Sequence, residues 1–229
     1  MTADSELLKS IVDALVTLVA AFAGAFFAFR FEKRLRDKER VDSQVAAGNL
    51  ALFILMCIWN KQRQYQKDII DEWRGKRDAW LNLPASASIA DSSLIFDLKD
   101  LSFVLEAKGA IFQFTILEAD RFRNIARSID ERNELVFSEV FPRMSHAGMD
   151  IGHQIDEEIL KKILTVGVVR RLVVVSDALI KHIDENVATS RDVFRRLRVA
   201  LKEIHPKRKF IDFTDDPAAV EIVKKGLGL

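Results

Sequence analysis

A chain of 229 residues has room for one sizeable domain and an appendage, and a net charge of +1 excludes wholesale binding of nucleic acid or of a strongly anionic partner. Its single cysteine, Cys57, excludes an internal disulfide framework and a metal site built from cysteine alone, which fits a reducing compartment.

From Ile11 to Phe29 the only ionised side chain is Asp13, and about 20 apolar residues are what a ~30 Å hydrocarbon layer requires of a helix. Residues 11–30 are therefore predicted to form a transmembrane helix behind a short extracytoplasmic N-terminus, 1–10. A cleaved signal peptide carries its positive charge ahead of the apolar core. Here Asp4 and Glu6 accompany Lys9 in front and the basic residues follow, so the segment is expected to be retained.

Arg30, Lys33, Arg34, Arg36, Lys38 and Arg40 crowd the C-terminal flank. Short flanks rich in Lys and Arg stay cytoplasmic, which puts Met1 outside and everything after Arg30 inside. Arg30, Lys33, Arg34 and Arg36 are the candidates for lipid headgroup contact, worth ~1 kcal/mol each near an anionic surface, and Glu32, Asp37 and Glu39 reduce the attraction. The competing account of this cluster is a solvated helical face laced with i,i+4 ion pairs.

Within the span, Ala20, Gly24 and Ala28 lie four apart and share one helical face, while Phe22, Phe26 and Phe29 project elsewhere. Small residues at this spacing let two helix backbones approach closely, and packing in lipid depends on such approach. They are the candidate membrane helix packing residues, and they imply a homo-oligomer; the competing account is that alanine-rich helices carry such spacing by chance.

No proline occurs before Pro84, so the span is expected to continue into a juxtamembrane basic segment and long helix, 31–75. Its middle, NLALFILMCIW from Asn49 to Trp59, is apolar all round. Leu50, Phe53, Ile54, Ile58 and Trp59 thus belong either to a buried core helix or to a membrane-active element. Val45 to Trp59 covers only ~22 Å at 1.5 Å per residue. A second crossing would also put Lys61, Arg63 and Lys67 outside, so a single pass is the stronger reading.

LNLPASASIADSS, from Leu81, reads as a connector, and 93–229 as a cytoplasmic helical bundle. Between Lys108 and Val140 the residues Ile111, Phe114, Phe122, Ile125, Ile129, Val136 and Val140 fall near one helical face, and Pro142 with Gly148 to Gly152 is expected to end the helix. A further long helix is predicted from Asp156. It runs through the β-branched VGVVRRLVVV on the strength of the 3.6 spacing at Leu172, Leu179 and Ile183. Thr214-Asp215-Asp216-Pro217 and Lys224-Lys225-Gly226 bracket a short helix from about Pro217 to Lys225, and Lys207, Arg208 and Lys209 form a basic turn beside Phe210 and Phe213. The fold class is all-α.

Catalytic grammar is missing: there is no phosphate-cradling glycine loop, no HExxH and no nucleophile-elbow serine. His146 and His153 near Asp150, Asp156 and Glu157 lack a recognised ligand spacing and read as a solvated connector, and His182 as a surface residue. No catalytic residue, cofactor or metal is assigned.

LVTLVAAFAGAFFAFRFEKRLRDKER followed by NLALFILMCIWNKQRQYQ resembles, over about the first third of the chain, small bacterial membrane-anchored effectors of anti-phage defence systems, including retron-type ones. The resemblance implies a protein of the bacterial inner membrane held harmless by a regulatory protein partner until infection and then damaging that membrane. The expected function is a non-enzymatic membrane-anchored effector that self-associates and perturbs the inner membrane. The alternative is a passive membrane scaffold or receptor that recruits a soluble protein partner through its helical body.

Overall fold

The computed structural model describes residues 3–76, 79–149 and 157–212, with backbone only at 3–14, 16, 157 and 160. Among the described residues every regular element is helical: α1 (Ala3–Tyr65), α2 (Ala79–Asn82), α3 (Ser102–Leu135), α4 (Phe141–His146), α5 (Glu157–Ile163) and α6 (Val166–Ile204). Two π-helical turns, Gln66–Ile70 and Val136–Val140, follow α1 and α3. The contacts divide the chain inside α1, into Met1–Ala46 and Ala47–Leu229.

The second unit is organised by α3 and α6, which pack against each other. On α3 the positions 118, 122, 125, 129 and 132 recur at alternating steps of four and three, and the stripe runs on to 136 and 140 in the π-helical turn, which keeps it turned to a neighbour. Phe122, Ile125, Ile129, Val136 and Val140 on that stripe are buried, as the sequence pattern predicts. On α6, Leu172, Leu179, Ile183, Phe194, Leu197 and Leu201 do the same. The β-branched run beginning at Val166 is helical, with Thr165 as its N-cap accepting from the Val168 N–H at 3.4 Å.

Three expectations need correction. Phe114 is exposed although it shares its azimuth with the buried Arg132 about five turns on; at this end of α3 the buried positions nearest it are polar, Thr115 and Glu118. Pro142 does not end the helix. The π-helical turn before it already interrupts the i→i−4 ladder that proline cannot join, and the backbone stays helical to His146. The stop comes at Gly148, whose φ of 73° suits glycine, with Met149 N–H donating to Met144 O and Gly148 N–H to Ser145 O, both at 3.0 Å. The single long helix predicted from Asp156 is two helices, because Leu164 and Thr165 break it and Leu164 turns into the core beside Val168 and Leu172. The helix predicted from Pro217, with Phe213, His153, Asp150 and Asp156, lies outside the described residues.

Among the described residues of this unit, apolar side chains gather in a cluster on either side of Arg132. Trp80, Leu135, Val136, Val140, Met144, Leu164, Val168 and Leu172 form one; Tyr65, Ile70, Leu83, Ile125, Ile129, Leu179 and Ile183 form the other. Between them Arg132, 1 % exposed, crosses the interior. Its Nε donates to Ser176 Oγ at 2.9 Å, Nη1 to Pro84 O at 3.4 Å and Nη2 to Leu83 O; Ser176 Oγ in turn donates to Trp80 O at 3.3 Å. The guanidinium thus replaces its water with carbonyls at the end of α2 and the start of the following segment. Burial pushes its pKa down to about 10, and Tyr65 offsets this slightly, so the cation persists at neutral pH. Beside it Asn133 clamps Ser86 in both directions, Nδ2 donating to Ser86 O at 2.6 Å and Oδ1 accepting from Ser86 N at 3.3 Å.

Gly48 marks the closest backbone approach. A Cβ there would meet Leu201 Cδ2 at 2.8 Å and Phe210 Cε1 at 3.3 Å, and both side chains are buried and cannot yield freely. At Gly24 nothing lies within 4 Å. Replacing Arg132 by alanine strands three acceptors and opens a void, so urea titration of the full chain in detergent should show a loss of about 3 kcal/mol; Arg123→Ala, on the exposed face, should stay within about 0.5 kcal/mol. In the same assay Gly48→Leu should cost about 2 kcal/mol or more by overpacking.

Candidate membrane-interacting helix

Among the described residues one helix, Thr17–Ile70, is long and apolar enough to cross a membrane. Its two apolar stretches differ in their surroundings. From residue 17 to residue 40 every side chain is exposed, and the exposed set includes Leu18, Val19, Phe22, Phe26, Phe27, Phe29 and Phe31, with Phe22 71 % open. Ala20, Gly24 and Ala28 are open as well, leaving the small-residue face free of neighbours. Phe26 and Phe27 meet edge to face at 5.8 Å between ring centroids.

The basic flank is not uniform. Arg36 pairs with Glu32 one turn earlier, whereas no ion pair among the described residues engages Arg30, Lys33 or Arg34. That pairing follows from the i,i+4 spacing, and for exposed groups it contributes at most a few tenths of a kcal/mol. All four side chains are exposed.

The second stretch sits in the helical body. Ala51, Leu52, Ile54, Leu55 and Ile58 are buried, Phe53, Cys57 and Trp59 are half-buried, and Leu50 is exposed. Among the five residues proposed from sequence as membrane-active or core, Ile54 and Ile58 are thus core, Phe53 and Trp59 line its edge, and Leu50 faces out. One turn beyond Ile58, Gln62 is fully buried, with Oε1 3.3 Å from Ser190 Oγ; that hydroxyl donates to Glu118 Oε2 at 2.8 Å, and Arg121 reaches Glu118 Oε1 at 2.5 Å.

Sequence reasoning missed Glu118, Arg132, Gln62 and Ser190, because polar residues do not enter a search for apolar spacing. A signal was present: Glu118 and Arg132 occupy stripe positions of α3, two heptads apart, and Ser190 and Ser176 occupy those of α6 at the same separation. The pairs 118 with 190 and 132 with 176 fit one antiparallel register.

At the end of α1, Arg74 chelates Asp184, with Nη2 donating to Oδ1 at 2.8 Å and Nη1 to Oδ2, and it also donates to Asp71 Oδ1 at 3.0 Å. Gln66 Nε2 donates to the same carboxylate at 2.7 Å and accepts from Arg63 at 2.6 Å. Partial burial works to raise the Asp184 pKa, and the hydrogen bonds from Arg74 and Gln66 overcome it and hold the group below its ordinary value. A shallow groove of about 470 Å³ beside this pair is lined by Gly75, Lys76, Asp177, Ile180, Lys181 and Glu185 among others.

His146 is exposed and shares Nδ1 with Pro142 O at 2.7 Å, His182 is exposed, and no group of three or more potential metal ligands occurs among the described residues. No protein-family model, curated protein or solved structure matches the chain.

Since the folded pKa of Asp184 is lowered, its contribution to stability is complete above about pH 4, the unfolded value, and disappears as pH falls through the folded pKa. Unfolding midpoints of the parent and of Asp184→Asn should therefore differ at pH 7 and converge at about pH 2.

Proposed function

We propose that this chain is a non-enzymatic, membrane-anchored protein of the bacterial inner membrane. Residues 11–30 cross the bilayer once with the bulk of the chain cytoplasmic, and copies associate through Ala20, Gly24 and Ala28. It acts as a scaffold or receptor, holding a soluble protein partner at the membrane through its helical body. The observation that carries this reading is the contrast within α1: a run of large apolar side chains open on every side, and a second apolar run whose Leu52, Leu55 and Ile58 are already enclosed by the body. In water the first run would leave several phenylalanines hydrated, at a cost of about 1.5–3 kcal/mol for each side chain left without cover. Lipid removes that cost.

The second reading is the effector, released by its partner to self-associate and breach the membrane in phage defence. The open small-residue face favours it, since Gly24 has nothing within 4 Å and a second helix could reach the backbone there.

Dye entry and membrane potential in bacterial cells after induction of the chain alone separate the two. The scaffold reading expects intact membranes with the chain inserted at full level, and it expects Gly24→Leu, which fills the small face, to reduce cross-linked dimer several-fold without changing permeability. Prompt leakage from the parent, lost in Gly24→Leu at equal membrane level, would transfer the conclusion to the effector.

A further inference from the structure

The N-terminal part of α1 is one uninterrupted helix, so the azimuth of each side chain follows from about 100° per residue. Taking Phe22 as zero, Phe26 lies at about +40° and Phe29 at about −20°; Arg40 falls at about 0°, Lys33 at about +20° and Arg36 at about −40°. Arg30 lies at the edge of this sector, about 80° from Phe22, and Arg34 stands about 120° away from it. The bulky aromatic side of the apolar run therefore continues, below residue 30, into a basic side centred on Lys33 and Arg40. The small-residue side, centred on Gly24 about 160° away, continues into Phe31, Leu35, Glu39 and Asp42, which lie within about 60° of the Gly24 direction. Two residues run against the pattern: Asp37, about 60° from Phe22 on the basic side, and Lys38, about 40° from Gly24 on the other.

Positive charge is thus concentrated below the side that carries Phe22, Phe26 and Phe29, while Phe27 and Phe31 stand within about 60° of Gly24 on the other. Arg36 is turned to Glu32 at the border between them, while no ion pair among the described residues occupies Lys33 or Arg40. All these side chains are exposed.

We propose that Phe22, Phe26 and Phe29 together with Lys33 and Arg40 form one continuous lipid-facing surface that selects anionic phospholipid, with acyl chains against the phenylalanines and the headgroup phosphate on the two cations, so that the opposite side is left for protein contact. This rests on the reading that residues 11–30 cross a membrane. Two arguments identify the occupant. The rings are followed along the axis by cations at about 6 Å beyond Phe29 for Lys33 and about 16 Å for Arg40, matching the passage from hydrocarbon to headgroup and then to the charged layer beneath it. The charge is also positive where an anionic leaflet is negative, and the carboxylates Glu39 and Asp42 are turned away from it. Of the four headgroup candidates drawn from sequence, this selects Lys33, puts Arg30 at the margin, ties Arg36 to Glu32 and turns Arg34 aside, and it adds Arg40.

The test uses the full chain carrying Phe29→Trp, reconstituted into phosphatidylcholine vesicles that hold a minor fraction of either brominated phosphatidylglycerol or brominated phosphatidylcholine; the parent chain supplies the background from Trp59, Trp73 and Trp80. Quenching of residue 29 should report a local enrichment of phosphatidylglycerol on the order of fivefold, falling with added salt. Lys33→Gln with Arg40→Gln should abolish the preference, and Arg34→Gln should leave it. Equal quenching by the two lipids would overturn the proposal while leaving the span in place, as would an equal loss in Arg34→Gln. Quenching by neither lipid would overturn the membrane span itself.

Discussion

The register between α3 and α6 is the constraint on which the helical body depends. Apolar stripes alone specify it weakly, since a leucine one heptad away fits almost as well as the right one. Here the stripes are interrupted at matched places. Arg132 meets Ser176 and Glu118 meets Ser190, and a slip of one heptad would leave a buried guanidinium facing Ile183 or Val169 and a buried carboxylate facing Leu197 or Ile183. An unpaired buried charge costs far more than a lost apolar contact, so polar groups at fixed intervals exclude the wrong alignments. The same residues recruit the rest of the body: Arg132 fixes the carbonyls of Leu83 and Pro84, and Glu118 and Ser190 meet Gln62 of α1.

That arrangement explains how much could be read without coordinates. Helical period, the connector after Trp80, the helical state of the β-branched run at Val166 and the burial of Phe122, Ile125 and Ile129 follow from local spacing, and each is found. The failures have separate origins, one local and one non-local. Pro142 could remain in a helical path only because a π-helical turn precedes it, and no propensity scale encodes that turn. Arg132 falls on the buried stripe of the helical wheel, and its residue type gives no reason for burial until the carbonyls of a segment some fifty residues earlier are brought to it. On the N-terminal helix the composition shows a long apolar run and a basic flank, but residue types alone did not show that Arg36 is taken up by Glu32 while Lys33 is not.

The two apolar runs of α1 are alike in hydropathy and unlike in partner. VAAFAGAFFAF alternates very small with very large residues, a surface that suits lipid on its bulky side and a close helix on its small side. NLALFILMCIW is filled with branched and flexible side chains of medium size, of which Leu52, Ile54, Leu55 and Ile58 are buried, and just ahead of it Leu201 and Phe210 close on Gly48. Side-chain size distribution, more than apolar content, distinguishes a helix suited to lipid from one suited to a protein core.

This contrast bears on how the chain could act. For the run from Leu50 to Trp59 to enter a bilayer, its apolar side chains would lose little, because lipid is as apolar as the core they leave. The obstacle lies one turn further on. Gln62 is fully buried against Ser190, Lys61 pairs with Asp91 at 3.4 Å, and Arg63 is held by Gln66, so moving the run drags an amide and two cations toward hydrocarbon and takes the Gln62 amide away from Ser190. Each polar group taken into lipid without a partner costs several kcal/mol. A partner that released the body would have to offset that whole sum, whereas a partner that merely bound the body would not. The polar seam therefore weighs toward a body that stays folded while the N-terminal helix alone meets the membrane.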